Sequence, residues 1–394
     1  GRVPTEIRSF MNERKKKKEE KQINTAAYFL FNEKYSGIIE SQAIDVVRWL
    51  GINGGAQTSL IHFLPFRNTK AVLSSMRAAT KGVMMVTRKN PPTLLLRIFR
   101  LWNVFRLYRV LNANGIGIIL CRGIVSCEIA LSVRKWFLPE LKVCYDGRGA
   151  ALAEQREFGN MGMTENQAAR LEKKAVFESN ARISVSQELV EYWKKEYDYE
   201  DLNHVVIPTT LNSSDSWELP HFDDINKMRR EHGIQDDDVV FVYSGSLAGW
   251  QGEAQMFDFA RNRLRVNDHE KFFFLSKEGG SLNSLIKEFP NKVSRFFVSP
   301  HEVRKMLVLA DYALLFRDDR VTNQVASPTK FAEYLSCGLP VLVSGNPSSL
   351  RFVNTHKCGR PIVESEFGAN FKRVDYSERL EIHGLAKDYF DKSH

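Results

Sequence analysis

SPTKFAEYLSCGLPVLVS, from Ser327 to Ser344, packs a polar loop, a short helix and a buried strand into eighteen residues. Pro328 suits the first helical turn, where its missing N–H costs no intrahelical bond, and Ser327 before it is placed to act as N-cap. Gly338 then ends the helix and Pro340 bars its resumption, so Val341, Leu342 and Val343 read as a strand buried on both faces. A helix start with Lys330 one turn in is a natural seat for phosphate, because the orphan N–H groups and the helix dipole both favour an anion there.

The rest of the chain extends that pattern. From about Ile23, apolar strands alternate with helical stretches, which is the signature of parallel sheets covered by helices. In the first half the strands are Ala26–Phe31, Thr58–Phe63, Val83–Thr87, Gly117–Cys121, Lys142–Tyr145, Ala181–Val185 and His204–Ile207, and helices are expected at Glu40–Leu50, Leu94–Leu111, Glu165–Glu178 and Glu188–Tyr197. The polar stretch LNSSDSWELPHFDD after Pro208 breaks the alternation and reads as the linker. A second unit resumes with strands Val239–Tyr243, Phe272–Leu275, Arg295–Val298, Tyr312–Phe316 and Val341–Val343, with helices Ala254–Leu264, Leu282–Phe289 and His301–Ala310 between them. The expected organisation is a basic arm over 1–22, a Rossmann-like domain over 23–210, a linker and domain entry over 211–238, and a second Rossmann-like domain over 239–394 whose last helix returns to the first. Tandem doubly wound domains of this kind bind ligands in a cleft outside the carboxyl ends of their strands.

Bulk composition narrows the partners. The 394 residues suit two domains, each with its own core, and 43% hydrophobic and 26% charged residues are ordinary for a globular chain. No apolar stretch is long enough to cross a bilayer and no secretory signal is expected. The five scattered cysteines, Cys121, Cys127, Cys144, Cys337 and Cys358, point to a reducing cytoplasm. A net charge of +9 favours anionic partners. Part of that excess is the run RKKKK, Arg14 to Lys18, which reads as a solvated arm or as a contact for a membrane or nucleic acid. Helix 94–111, LLLRIFRLWNVFRLYRVL, reads as a buried domain helix whose arginines snorkel, with a membrane-surface helix as the alternative. No aromatic-plus-basic strand platform supports nucleic-acid binding. The nine histidines show no metal spacing.

Three strand ends of the second unit should converge on one rim. The turn SGSLAGWQG, Ser244 to Gly252, brings Gly245 and Ser246; the strand YALLFRDD brings Arg317; the opening run brings Lys330 and Glu333. Glycines let backbone N–H groups approach phosphate, Arg317 offers a bidentate fork, Lys330 a point charge, and Glu333 an acceptor for ribose hydroxyls. That set suits a diphosphate. A bland tight turn at 244–252 and an ordinary first-turn acid at Glu333 are the competing readings.

The second half resembles the nucleotide-sugar-binding domain of a GT-B glycosyltransferase, most like the retaining family 4 enzymes. Its opening run fits the P-x-K-x-x-E-Y-L-x-x-G-x-P-V form of that family's donor motif, and SGSLAGWQG falls where the first phosphate loop belongs. The resemblance implies donor contacts at Gly245, Ser246, Gln251, Arg317, Ser327, Pro328, Thr329, Lys330 and Glu333, with His301 near the nucleobase unless it merely starts its helix. Two departures stand out: Val325 where a second acid is common, and Ser246 and Gln251 where Arg and Lys are common. In the first half, CYDGRGAALAEQREFG, Cys144 to Gly159, is similar to a D-x-R-G…E element of bacterial polysaccharide enzymes. It implies that Asp146, Arg148 and Glu154 act at the reaction centre, although an Asp–Arg pair so close can equally brace a turn. Arg122 joins them at a strand end. Ser36, Gly37 and Glu40, in FNEKYSGIIESQ, fall in the family's acceptor or phosphate loop.

The resemblance thus implies sugar transfer from a nucleotide-diphosphate sugar to a glycan or lipid-linked acceptor, with retention and without metal or other cofactor. A cytoplasmic enzyme peripheral to an anionic inner membrane face fits the basic balance. A GT-B nucleotide-sugar epimerase and a non-catalytic GT-B partner subunit are the rival readings.

Overall fold

The computed structural model describes residues 25–34, 36–65, 69–90, 100–159, 161–200, 203–211, 218–247, 252–277, 279–364 and 367–391. The chain separates into two compact units, dividing between Ile207 and Pro208, with Ser186–Glu188 joining the second. The stretch expected as linker includes a helix, Phe222–Glu231.

The first unit is built on a seven-stranded sheet: β1 Thr25–Phe31, β2 Gln57–Leu64, β3 Met84–Lys89, β4 Ile118–Arg122, β5 Lys142–Gly147, β6 Ala181–Ser184 and β7 His204–Val206. Their spatial order is β3-β2-β1-β4-β5-β6-β7, parallel throughout. The order reverses between β1 and β4, which is the switch point where open α/β sheets bind ligands. After β1 the chain makes α1 Gly37–Ile39, a π-helix over Glu40–Ile44, and α2 Asp45–Asn53. The remaining helices are α3 Thr69–Ala79, α4 Arg100–Asn114, α5 Gly123–Trp136, α6 Ala151–Phe158, α7 Glu165–Glu178 and α8 Gln187–Tyr197.

The expectation of a buried helix over 94–111 needs correcting. Residues 94–99 lie outside the described residues, and α4 buries one stripe, including Val104, Leu107 and Leu111, while Leu101, Trp102 and Phe105 face solvent. No single core can cover a helix that is apolar on more than one face.

The second unit carries six parallel strands: β8 Val239–Ser244, β9 Glu270–Leu275, β10 Val293–Phe296, β11 Tyr312–Leu315, β12 Val341–Val343 and β13 Gly359–Pro361. Their order, β10-β9-β8-β11-β12-β13, is the same doubly wound arrangement, with its switch point between β8 and β11. Every residue of β8 and β12 is buried, as strands covered on both faces must be. The helices are α9 Phe222–Glu231, α10 Glu253–Val266, α11 Gly280–Glu288, α12 Pro300–Leu307, α13 Val321–Gln324, α14 Thr329–Ser336, α15 Pro347–His356 and α16 Tyr376–Phe390. The terminal helix α16 sends Ile382, Ala386 and Phe390 into this unit's own core. It is fixed there by Arg379, which with Arg229 of α9 brackets the buried Asp311 at 3.3 and 2.9 Å.

All five cysteines are free, and burial pushes Cys127 up to about 12 and Cys337 up to about 11, so neither is a thiolate near neutrality. Among the described residues no helix is long and apolar enough to cross a membrane.

Candidate functional site

The opening run folds as expected except at its cap. Gly338 stops α14 with φ +68, a left-handed conformation that disfavours any side chain with a Cβ. The N-cap, however, is Pro328 rather than Ser327. Ser327 is already committed: its Oγ accepts from the Thr209 N–H at 2.9 Å and its carbonyl from the Thr209 hydroxyl at 2.8 Å. The first turn of α14 therefore has no side-chain cap; its Phe331 N–H turns back to the Pro328 carbonyl at 3.0 Å.

Three elements bring the cations of this rim together. β8 is followed by Gly245, whose φ of +132 turns the chain sharply. A Cβ at Gly245 would stand in the space taken by the Nζ and Cε of Lys330. The lysine end can swing aside, so it is the backbone φ of +132 that favours glycine here. Lys330 Nζ lies 4.4 Å from the centroid of the Tyr243 ring and donates to the Tyr243 hydroxyl at 3.1 Å. That hydroxyl in turn donates to the Ser246 carbonyl at 2.7 Å. From β11, Arg317 arrives half-buried, its Nε inaccessible and without a hydrogen-bond partner among the described residues. Tyr334 of α14 is fully buried and accepts from the Ser244 N–H at 2.9 Å, tying the helix to the end of β8.

Burial, with Arg317 beside it, pulls the Lys330 ammonium down to about 7. Burial likewise lowers Arg317, against the pull of Tyr243, Tyr334 and Asp318. Two cations that repel one another in a desolvated corner are stabilised by a multivalent anion placed between them. Glu333 is half-buried one turn after Lys330, and its charge works in the opposite direction on the lysine.

The rim of the first unit is organised around buried acids. Asp146, at the end of β5, is inaccessible; it accepts a short bond from Tyr28 of β1, and its Oδ1 pairs with Arg148 Nε at 2.7 Å. Burial opposes the charge on Arg148, but Asp146 and Tyr28 together more than offset it and hold the guanidinium above its usual range. Asp146 thus lies inside the fold between Tyr28 and Arg148. Glu154, in the first turn of α6, is held above the usual carboxyl range by burial and by Glu157 and Glu33. Arg122, the N-cap of α5, donates to Gln42 Oε1 at 3.0 Å and lies 3.8 Å from Glu33. Ser36 caps α1 through its carbonyl, Gly37 begins that helix in the open, and Glu40 starts the π-helix. Single π-turns of this kind recur at functional sites because they re-aim the residues they carry.

No family model matches this sequence, and no curated protein does. Solved structures match it over nearly its whole length. HepE from Anabaena, solved with UDP and glucose, superposes with a TM-score of 0.65 at 14% identity, covering 93% of this chain and 95% of that one. A glycosyltransferase from Rickettsia africae gives 0.68 at 12%, with 94% of each chain covered. WaaB, a lipopolysaccharide outer core galactosyltransferase in its apo form, gives 0.65 at 15%, covering 93% and 96%. The fold is GT-B. At these identities the likeness is one of fold, and the site must be argued from its own residues.

Within the GT-B frame the second unit gathers Gly245, Arg317, Lys330, Thr329 and Glu333 at one switch point, with Ser246 exposed beside them. Gln251 lies outside the described residues. His301 sits in the first turn of α12; its side chain also lies outside them. Val325 is 2% exposed, so the position where the family pattern commonly carries a second acid is an interior one here. Pattern reading missed Tyr243 and Tyr334, since an aromatic in an apolar strand or helix reads as core, and missed Glu33 and Gln42. Among the described residues one cluster with ligand-type side chains, Asp237, Asp238 and His269, lies at the amino ends of β8 and β9, opposite the rim just described.

Proposed function

We propose that the chain is a glycosyltransferase that takes its sugar from a nucleotide-diphosphate donor, works with retention and needs no metal ion. The observation that carries this reading is the half-buried pair Lys330 and Arg317, seated beside the start of α14, which has no side-chain cap, at the β8/β11 switch point. In the reaction the bond from the anomeric carbon to the β-phosphate oxygen breaks, an acceptor hydroxyl oxygen forms the new bond, and its proton is released. The charge that develops on the departing diphosphate falls where Lys330, Arg317 and the α14 N–H groups are already oriented, which lowers the barrier without a cation. Glu333 accepts from the ribose hydroxyls. We assign the glycan or lipid-linked acceptor to the first unit, with Arg122, Arg148 and Glu154 as its polar contacts and Ser36, Gly37 and Glu40 lining its entry. The +9 excess supports work in the cytoplasm at an anionic membrane face.

Thermal unfolding with a panel of nucleoside diphosphates, in the presence of a chelator, tests the reading. The matching base at about a hundred times its dissociation constant should add roughly 2.7 kcal/mol of stability. Lys330→Ala and Glu333→Ala should each reduce that gain. A panel in which no diphosphate moves the transition, with or without divalent cation, would refute it.

A further inference from the structure

Two helices of the first unit leave a ring-lined surface uncovered. Leu101, Trp102 and Phe105 of α4 are 65%, 53% and 39% exposed, and the end of α5 adds Trp136 and Phe137 at 47% and 41%. The rings make one patch: Trp102 and Phe105 are 6.5 Å apart, Phe105 and Phe137 6.3 Å, and Tyr108 stacks on Phe137 at 4.7 Å. Monomeric surfaces seldom present several contiguous large rings without a partner.

Charge identifies the partner. α4 contains no acidic residue. Arg109 is exposed one turn beyond Phe105, Lys135 is exposed beside Trp136, and Arg106, one turn beyond Trp102, is bonded to the Lys89 carbonyl at 3.0 Å. Glu140 is the one acid from 134 to 142, a stretch that holds Arg134, Lys135 and Lys142. A second copy of the chain pressed face to face would set these cations against their own counterparts with little acid to answer them. We propose that this α4–α5 face docks the protein onto an anionic lipid bilayer, with the rings at the headgroup–acyl boundary and the cations on lipid phosphates. The proposal gives the membrane reading above a definite surface and relies on no step of sugar transfer.

Flotation of the full chain with vesicles of phosphatidylcholine, pure or with about a third phosphatidylglycerol, provides the test. The chain should float with the anionic vesicles, and Trp102→Ser/Phe105→Ser should lower its partition by about tenfold or more on both kinds. Arg109→Glu/Lys135→Glu should lower partition by a similar factor on anionic vesicles and leave it unchanged on neutral ones. A cooperative melt at the parent's temperature shows each variant folded, while nucleotide binding measured in parallel reports separately on the donor site. The proposal is overturned if the parent does not float, if the ring variant floats as well as the parent, which assigns binding to the arm at Arg14 to Lys18, or if the parent is a dimer that the ring variant dissociates.

Discussion

At Lys330, burial and ligand binding act in opposite directions. The fold holds the ammonium at about 7, against 10.5 in water, because the charged form loses hydration and faces Arg317. A bound diphosphate favours the charged form and raises that value. Between the two values the complex holds a proton that the free protein lacks, so binding takes one up. Affinity for the diphosphate should accordingly fall as pH rises above 7, approaching tenfold per unit at its steepest. Calorimetry near pH 8 in two buffers of unlike ionisation heat reads the uptake directly: a substantial fraction of one proton is expected, and a heat independent of buffer would contradict it. Sequence pointed to Lys330 and Arg317 because a cation at a strand end or helix start is visible locally. It did not show that Asp146 is buried. Tyr28 and Arg148 reach that carboxylate only once β1, β4 and β5 lie side by side, and strand order is a tertiary property.

On the scale of elements, α6 rests on a single side chain of α7. Glu172 is fully buried and accepts from the N–H groups of Ala151 and Leu152 and from the Tyr197 hydroxyl, each at 2.9 Å, so it caps the helix that carries Glu154. Burial dominates over those three bonds and raises its carboxyl to about 7. The folded state therefore holds a proton that the unfolded chain has released between about 4.5 and 7. This contribution to stability is complete below the lower value and is lost as pH rises through the upper one. Denaturant melts of the parent and Glu172→Gln should show the parent's relative stability declining across that window, whereas a difference flat with pH would contradict the assignment. Nothing in the sequence around Glu172 marks it, since an acid among lysines on a helix ordinarily faces water. Twelve of the thirteen described strands lie where the sequence predicts them, because their apolar runs are local; β13, Gly359–Pro361, has no apolar run and escapes that reading. Helix α5, apolar nearly all round, carries too weak a period to be seen, and α9 offers too few apolar residues, with only Ile225 and Arg229 buried, to stand out from a polar linker. The π-helix after β1 has no sequence pattern to read.

On the scale of the molecule, two sheets of the same doubly wound order place their polar side chains at corresponding switch points, one around Arg122 and one around Arg317. Composition and alternation made that plan readable. The exposed rings of α4 and α5 were not, because a helix apolar on several faces gives no sign of which face the core will cover. The most direct measurement for the diphosphate site is a calorimetric comparison of one nucleoside as its diphosphate and its monophosphate, titrated into the parent and into Lys330→Met with chelator present. The parent should prefer the diphosphate by about tenfold or more, as a charge-assisted contact to the second phosphate requires, and Lys330→Met should lose most of that preference while keeping the monophosphate affinity. Equal affinities in the parent, or a preference that survives intact in Lys330→Met, would contradict it.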